Sequence, residues 1–308
     1  MQKDKSIKKN NILLTGGSGF IGILLLKKIL KDESCNVYLI DPKPYKNLEK
    51  GLKQRVKHIQ SKIEDIPINK LDSIISSCSK IYFLSALKFE KHTRDNKKLL
   101  DSNIISLERI LAGLKPFHTL VFTSSLYVYG IFNKNKIKEK QKTDPLNLYG
   151  LTKIFGEQLI QFYSKRISFK FQIFRLFFVY DERLISPKSY KTLIPKFKYL
   201  SKNNLPLSIN GDGKQKLDYI NSYDVIHYLV LGMNNPLNRI LNLGSSYSTS
   251  INDLCKIFDK NKNKRHKKVF IKKDFTHNSF RVANNKLLIQ LYGAYKFKKL
   301  NSIFDDKL

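Results

Sequence analysis

The chain has 308 residues, 42% of them hydrophobic and 27% charged, which suits one large domain or a domain with a lobe and excludes a disordered or fibrous chain. Fifty-seven Lys and Arg against 25 Asp and Glu give a net charge of +32, pointing toward nucleic acid, an anionic membrane surface or an anionic small molecule. Only nine of the cations are Arg, few for a surface built on bidentate phosphate recognition, and biased base composition produces the same Lys excess.

Cys35, Cys78 and Cys255 lie far apart, odd in number and outside any C-x-x-C spacing. Neither a disulfide framework nor a zinc site is expected, and a cytoplasmic location fits. The N-terminal MQKDKSIKKN is basic, but the apolar Ile12 to Leu14 that follows is too short for a signal-peptide core. No apolar run approaches the length of a transmembrane helix. Peripheral membrane or nucleic-acid association is left open by the charge.

In chain order, Asn11 to Thr15, Asn36 to Asp41, Val56 to Gln60, Ile81 to Ala86 and His118 to Ser125 read as buried strands. Phe20 to Leu30 and Asn103 to Leu114, with apolar residues three and four apart, read as crossover helices. Another helix is expected from Tyr149 to about Tyr163, then strands at Phe169 to Tyr180 and Ile240 to Gly244 that extend the same sheet. This alternation predicts an α/β fold, a Rossmann-type doubly wound parallel sheet. Residues 1–180, with 219–244 returning, form the expected dinucleotide-binding domain. Residues 181–218 and 245–308 lack the rhythm and are assigned to a smaller, discontinuous substrate lobe. The charge run Lys260 to Lys273 reads as a solvated loop, and Asp224 as a helix cap.

After the first strand comes Thr15-Gly16-Gly17-Ser18-Gly19-Phe20-Ile21-Gly22, with G-x-G-x-x-G at Gly17, Gly19 and Gly22. Between a strand and a helix these glycines permit a tight turn, close approach of a pyrophosphate, and packing of helix on strand. The helix N-terminus then offers amides to the phosphates. Asp41, ending the second strand 22 residues after Gly19, suits the adenosine ribose hydroxyls and repels a 2′-phosphate, so NAD is expected over NADP.

Nearly the whole chain resembles the extended short-chain dehydrogenase/reductases, specifically their NAD-dependent epimerase/dehydratase branch, which works on nucleotide sugars. The resemblance lies in TGGSGFIG, in FTSSLYVYG at Phe122 to Gly130, in Tyr149-Gly150-Leu151-Thr152-Lys153 as a Y-x-x-x-K motif, and in Asn103, Pro145 and Glu157. Y-x-x-x-K alone is weak evidence. Chance gives about 2.5 such pairs in a chain this rich in Tyr and Lys, and three occur: Tyr149–Lys153, Tyr292–Lys296 and Tyr295–Lys299. Context selects the first, which opens a helix 24 residues after Ser125.

The resemblance implies Ser125, Tyr149 and Lys153 as catalytic residues, with Tyr149 and Lys153 also on the cofactor. It places Gly16 through Gly22, Asp41, Ile63, Leu84, Ser85, Ala86 and Asn103 around that cofactor. Chemically, a free Tyr titrates near 10, and a Lys ammonium one helical turn away favours its phenolate, making Tyr149 a general base for a sugar hydroxyl. Ser125 would hydrogen-bond the same oxygen, and hydride passes to NAD.

Dehydratase and decarboxylase relatives carry an acidic residue two positions after the serine, where this chain has Leu126 and Tyr127 after Ser125. C4 epimerisation through a transient 4-keto sugar is therefore expected. The alternatives are a dehydratase, a keto-sugar reductase, or a non-catalytic NAD- or RNA-binding member. A homodimer is common in the family.

The substrate half departs from the pattern. Phe178 replaces an Asn, Asp181-Glu182 replaces Gly-Pro, and Leu217 replaces a phosphate-holding Arg in GDGKQKLDYI. Lys214, Lys216 and Arg281 are the remaining candidate anion ligands, with Ser125 and Phe178 also lining the substrate. Phe83 stands where relatives often have His, and Lys62 where an Asp contacts adenine. His58, His92, His118, His227, His266 and His277 share no metal-ligand spacing, so no metal is expected.

Overall fold

The computed structural model describes residues 11–32, 34–45, 48–88, 96–132, 135–181, 193–262, 265–271 and 279–304. His92, His277, Glu182 and, within the charge run, residues 263–264 and 272–273 lie outside the described residues.

The first half alternates strand and helix: β1 (Ile12–Thr15), α1 (Phe20–Asp32), β2 (Val37–Ile40), α2 (Lys50–Lys53), β3 (Val56–Ile59), α3 (Ile68–Ser76), β4 (Lys80–Phe83), α4 (Asn96–Leu100), α5 (Ser106–Ala112), β5 (Thr119–Ser125), α6 (Leu148–Ile167) and β6 (Lys170–Leu176). There follow β7 (Phe178–Tyr180), α7 (Leu193–Lys202), β8 (Leu207–Asn210), β9 (Lys216–Leu217), β10 (Tyr219–Asn221), α8 (Ser222–Asn234), β11 (Arg239–Leu243), β12 (Thr249–Ser250), α9 (Ile251–Lys262), β13 (Lys268–Ile271), β14 (Phe280–Arg281) and α10 (Lys286–Tyr292).

Seven strands form the central sheet in the order β11-β6-β5-β4-β1-β2-β3, the parallel doubly wound arrangement expected. Strand order reverses between β1 and β4, and in such sheets ligands bind beyond the carboxyl ends of the strands at that switch point. β1 is buried along its whole length because both faces are covered.

The chain divides into two compact units. The first comprises residues 1–124, 147–174 and 228–240, and the second 125–146, 175–227 and 241–308. The core of the first packs Leu13, Ile75, Ile81, Phe122, Ile160 and Phe169 among its fully buried side chains. The second has its own core around Phe197, Ile209, Leu254 and Phe258, with the Phe197 and Phe258 rings edge to face at 5.8 Å.

Four expectations need correction. Phe169 to Tyr180 is two strands, because the chain leaves the central sheet at Phe177 and β7 pairs in parallel with β10 in a separate two-stranded sheet. The later segments, expected to lack the strand-helix rhythm, nonetheless form α7, α9, α10 and several short strands. The described part of the charge run is a loop only at residues 265–267; the rest is the end of α9 and the strand β13, which pairs with β8. Asp224 is no cap. It lies in the first turn of α8, where its carboxylate accepts from Tyr295 Oη at 2.8 Å and Lys298 N at 3.0 Å and so holds the C-terminal segment.

Candidate active site

The glycine loop follows β1. Gly16 adopts φ +72°, and a Cβ there would lie 2.7 Å from Ser85 N, so the segment after β4 passes directly against it. A Cβ on Gly22 would lie 2.2 Å from Gly16 O, so the first turn of α1 packs on the loop with no room for a side chain. Gly19 is different: the only atom near its would-be Cβ is Gly16 O at 3.1 Å, leaving space for a ligand. The first turn of α1 carries no acidic side chain to compete with an anion.

Asp41 follows β2 and is buried. One carboxylate oxygen accepts from Ser18 N at 3.0 Å and the other from Lys43 N at 2.9 Å, fixing the acid beside the glycine loop. Ser18 Oγ reaches across to Lys43 O at 2.6 Å. Ile63 is buried at the start of a short 3-10 turn. Leu84, Ser85 and Ala86 are half-buried in the segment leaving β4, where Ser85 N reaches Thr15 Oγ1 at 3.4 Å. Loop, acid and β4 exit thus converge: Asp41 is hydrogen-bonded to Ser18 N, and the segment after β4 passes against Gly16.

Asn103 sits in a π-helical turn, Asp101–Ile105, between α4 and α5. Its Oδ1 accepts from Leu87 N at 2.8 Å, and its Nδ2 donates to Leu87 O and to Thr152 Oγ1, both at 3.0 Å. Thr152 Oγ1 donates in turn to Tyr149 O at 2.8 Å. The side chain therefore ties the β4 exit to the helix that carries Tyr149 and Lys153.

α6 begins cleanly because the Asn147 side chain caps it, accepting from Gly150 N at 2.8 Å. It approaches the sheet closely at Gly156, where a Cβ would lie 2.8 Å from the Phe122 ring. Lys153 is fully buried, donates to Thr123 O at 2.8 Å and places its ammonium 4.7 Å from the Phe122 ring centroid and 5.8 Å from that of Tyr149. Burial lowers Lys153 to about 7; Glu157 acts to raise it and Lys88 to lower it further.

Ser125 ends β5 in extended conformation, and its Oγ accepts from Tyr127 N at 3.3 Å, capping the short turn Leu126–Val128. The structure brings Tyr149, Lys153, Asn103, the glycine loop and Asp41 together in the first unit; Ser125 begins the second. Among the substrate candidates, Arg281 is buried on β14 in register with Leu217, its guanidinium 5.9 Å from the Tyr127 ring. Phe178 packs its ring on Tyr219 at 6.0 Å. Lys216 is exposed, and Lys214 is exposed with its ammonium 3.6 Å from Asp212.

Sequence reasoning passed over Thr152, Ser124 and Glu157 as working parts of this site. Ser124 Oγ donates to Glu157 Oε1 at 2.6 Å, both groups buried. Their signal was positional: Thr152 stands one residue before Lys153, Ser124 one before Ser125, and Glu157 one helical turn after Lys153.

No group of His, Cys, Asp and Glu among the described residues could hold a metal, and no described helix is long and apolar enough to cross a membrane. One other arrangement resembles a catalytic relay: His266 Nδ1 meets Asp259 Oδ1 and its Nε2 meets Ser201 Oγ, each at 2.8 Å. Ser201 is 3% exposed, so no carbonyl can reach its hydroxyl, and the three act as a structural contact.

The family model for the NAD dependent epimerase/dehydratase family matches residues 12–244. The chain is 31% identical over 252 residues to an uncharacterised UDP-glucose epimerase of Bacillus subtilis, covering 78% of each. It is 26% identical over 261 residues to the dTDP-D-glucose 4,6-dehydratase of Mus musculus, covering 80% of this chain and 71% of that protein. Among solved structures it superimposes with a TM-score of 0.83 on the UDP-glucuronic acid 4-epimerase of Bacillus cereus in complex with UDP-glucuronic acid and NAD, 25% identical over 96% of both chains. The chain belongs to the NAD-dependent epimerase/dehydratase family and is an enzyme of that family with NAD as its cofactor.

Proposed function

We propose that this chain is a nucleotide-sugar epimerase acting at sugar C4 through a transient 4-keto intermediate. The observation that carries the reading is Lys153, buried one turn from Tyr149 and held by Thr123 O on the strand that ends in Ser125. NAD, when bound, supplies a hydride acceptor that returns the hydride in the same turnover. The remaining work falls to the chain. The glycine loop and α1 amides hold the pyrophosphate, and Asp41 takes the adenosine ribose. Lys153, positively charged, favours the phenolate of Tyr149, whose oxygen removes the proton of the C4 hydroxyl. Ser125 hydrogen-bonds the same sugar oxygen, and Arg281 is the anion ligand for the substrate's nucleotide phosphates.

Epimerisation is favoured over dehydration because Leu126 is buried and apolar and Tyr127 holds the position two beyond Ser125, so no carboxylate is there to carry a proton in elimination. The retained Ser125, Tyr149 and Lys153 speak against a non-catalytic RNA-binding role. The same reading includes a homodimer: Leu100, Ile105, Phe155 and Phe162 are exposed apolar side chains on the first unit's helices, beside a cleft of about 290 Å³ lined by Ile104, Phe155, Gln158, Leu159 and Phe162. It also places the enzyme in the cytoplasm, where its buried thiols stay reduced.

The test is a screen of UDP-, GDP-, dTDP- and CDP-sugars for thermal stabilisation of the NAD-loaded protein, followed by proton NMR of the stabilising sugar after incubation. A C4 epimer supports the reading. Net NADH consumption or a 4-keto-6-deoxy product contradicts it.

A further inference from the structure

We propose that Glu157 is a positioning residue that holds Lys153 in its ammonium form, with Ser124 fixing the carboxylate from the neighbouring strand. This rests on the reading that Lys153 serves Tyr149 by its charge.

Residues four apart on a helix lie one turn apart on the same face, so Glu157 and Lys153 share the side of α6 that packs on β5. Both are 3% exposed. A buried carboxylate is costly unless it is hydrogen-bonded and has a counter-charge, and the site provides both. Ser124 Oγ donates to Glu157 Oε1 at 2.6 Å, and the nearby cation is Lys153. The counterpart need is just as strong. Lys153 makes one hydrogen bond to a neutral carbonyl, Thr123 O, and lies over the Phe122 ring, a setting that favours the uncharged amine by desolvation. The ionisable groups acting on Lys153 come from two elements: Tyr149 and Glu157 on α6, and Lys88 in the segment after β4, whose positive charge opposes that of Lys153. Glu157 alone of these is a carboxyl group, and it acts to raise Lys153. β5 therefore carries two adjacent serines with separate duties. Ser125 closes the strand at the reacting side, while Ser124, pointing to the opposite face, orients the charge that keeps the lysine protonated.

The experiment is a carbon-13 titration of the lysine Cε resonances in the full-length protein, with and without NAD. Lys153 is identified by the signal missing from Lys153→Gln. In Glu157→Gln, which keeps the shape and an acceptor for Ser124, the Lys153 midpoint should fall by about one pH unit or more, as expected for loss of an opposite charge one helical turn away. Glu157→Asp should restore part of that shift. An unchanged midpoint in Glu157→Gln overturns the proposal. Should that variant not fold, the unmodified chain decides: the Glu157 Cδ resonance must report an ionised carboxylate throughout pH 6 to 9, and a neutral Glu157 there overturns it equally. Neither readout needs turnover. A Lys153 shift in a protein that converts no nucleotide sugar leaves the inference standing and removes the epimerase reading instead.

Discussion

Replacing Asn103 with Ala tests whether one side chain couples the cofactor loop to the catalytic helix. The substitution removes three hydrogen bonds, two to Leu87 and one to Thr152. Leu87 is 46% exposed, so water can take over its amide and carbonyl, and those two bonds count for little beyond lost rigidity. Thr152 is fully buried and keeps its bond to Tyr149 O, but its hydroxyl oxygen loses a donor where no water enters easily. One buried bond at about 1–2 kcal/mol, with a small cavity at a 3% exposed site, predicts a loss of about 2–3 kcal/mol. Urea unfolding measures that loss as a lower midpoint with unchanged slope. The β4 exit also loses its tether, so the dissociation constant for NADH, read by fluorescence, should rise about tenfold, which corresponds to about 1.4 kcal/mol. Stability within about 0.5 kcal/mol of the parent, together with unaltered NADH affinity, would show that the π-turn contact is incidental.

Other variants probe the remaining parts. Tyr149→Phe should lower turnover by about a thousandfold, in the range for loss of a general base, while isothermal titration finds NAD affinity nearly unchanged. Gly22→Ala must push Gly16 O and Gly17 Cα away, since both lie within 2.5 Å of the new carbon, and should weaken NAD binding tenfold or more while far-UV circular dichroism is preserved. His118 is buried with Nδ1 accepting from Lys115 N at 2.7 Å and Nε2 facing Ile75 O at 3.2 Å, and burial lowers its pKa. Its folded form therefore resists protonation. The stability it supports is complete above the unfolded value near 6.5 and is lost as pH falls below it, by at most about 1.4 kcal/mol per pH unit. His118→Asn should flatten the stability profile between pH 7 and 5 relative to the parent, and identical slopes would refute the assignment.

The parts legible in the sequence were those whose physics is local. Gly19 and Gly22 answer steric demands set by Gly16 and Gly17 a few residues away, and the alternation of strand and helix reports burial directly. Y-x-x-x-K was legible only through its neighbours, because two chance copies occur near the C-terminus. What the sequence concealed depends on partners distant along the chain. Phe169 to Tyr180 reads as one strand, apolar from Leu176 to Tyr180, and nothing in it announces that the hydrogen bonds of Phe178–Tyr180 go to Tyr219–Asn221. The π turn at Asn103 likewise has no periodic signature; it follows from Leu87 and Thr152, 16 and 49 residues away. The net charge of +32 explains little of the site. In the proposed reading the cofactor is held by backbone amides and Asp41, and the cation is Lys153, the one buried lysine among the described residues.

The central claim, reversible oxidation at C4 with the hydride returned to the same carbon, is tested most directly with a UDP-sugar deuterated at C4. The account predicts interconversion of the C4 epimers with the deuterium retained at C4 and no net change in NADH absorbance. Loss of deuterium to solvent, its transfer to another carbon, or accumulation of NADH would contradict it.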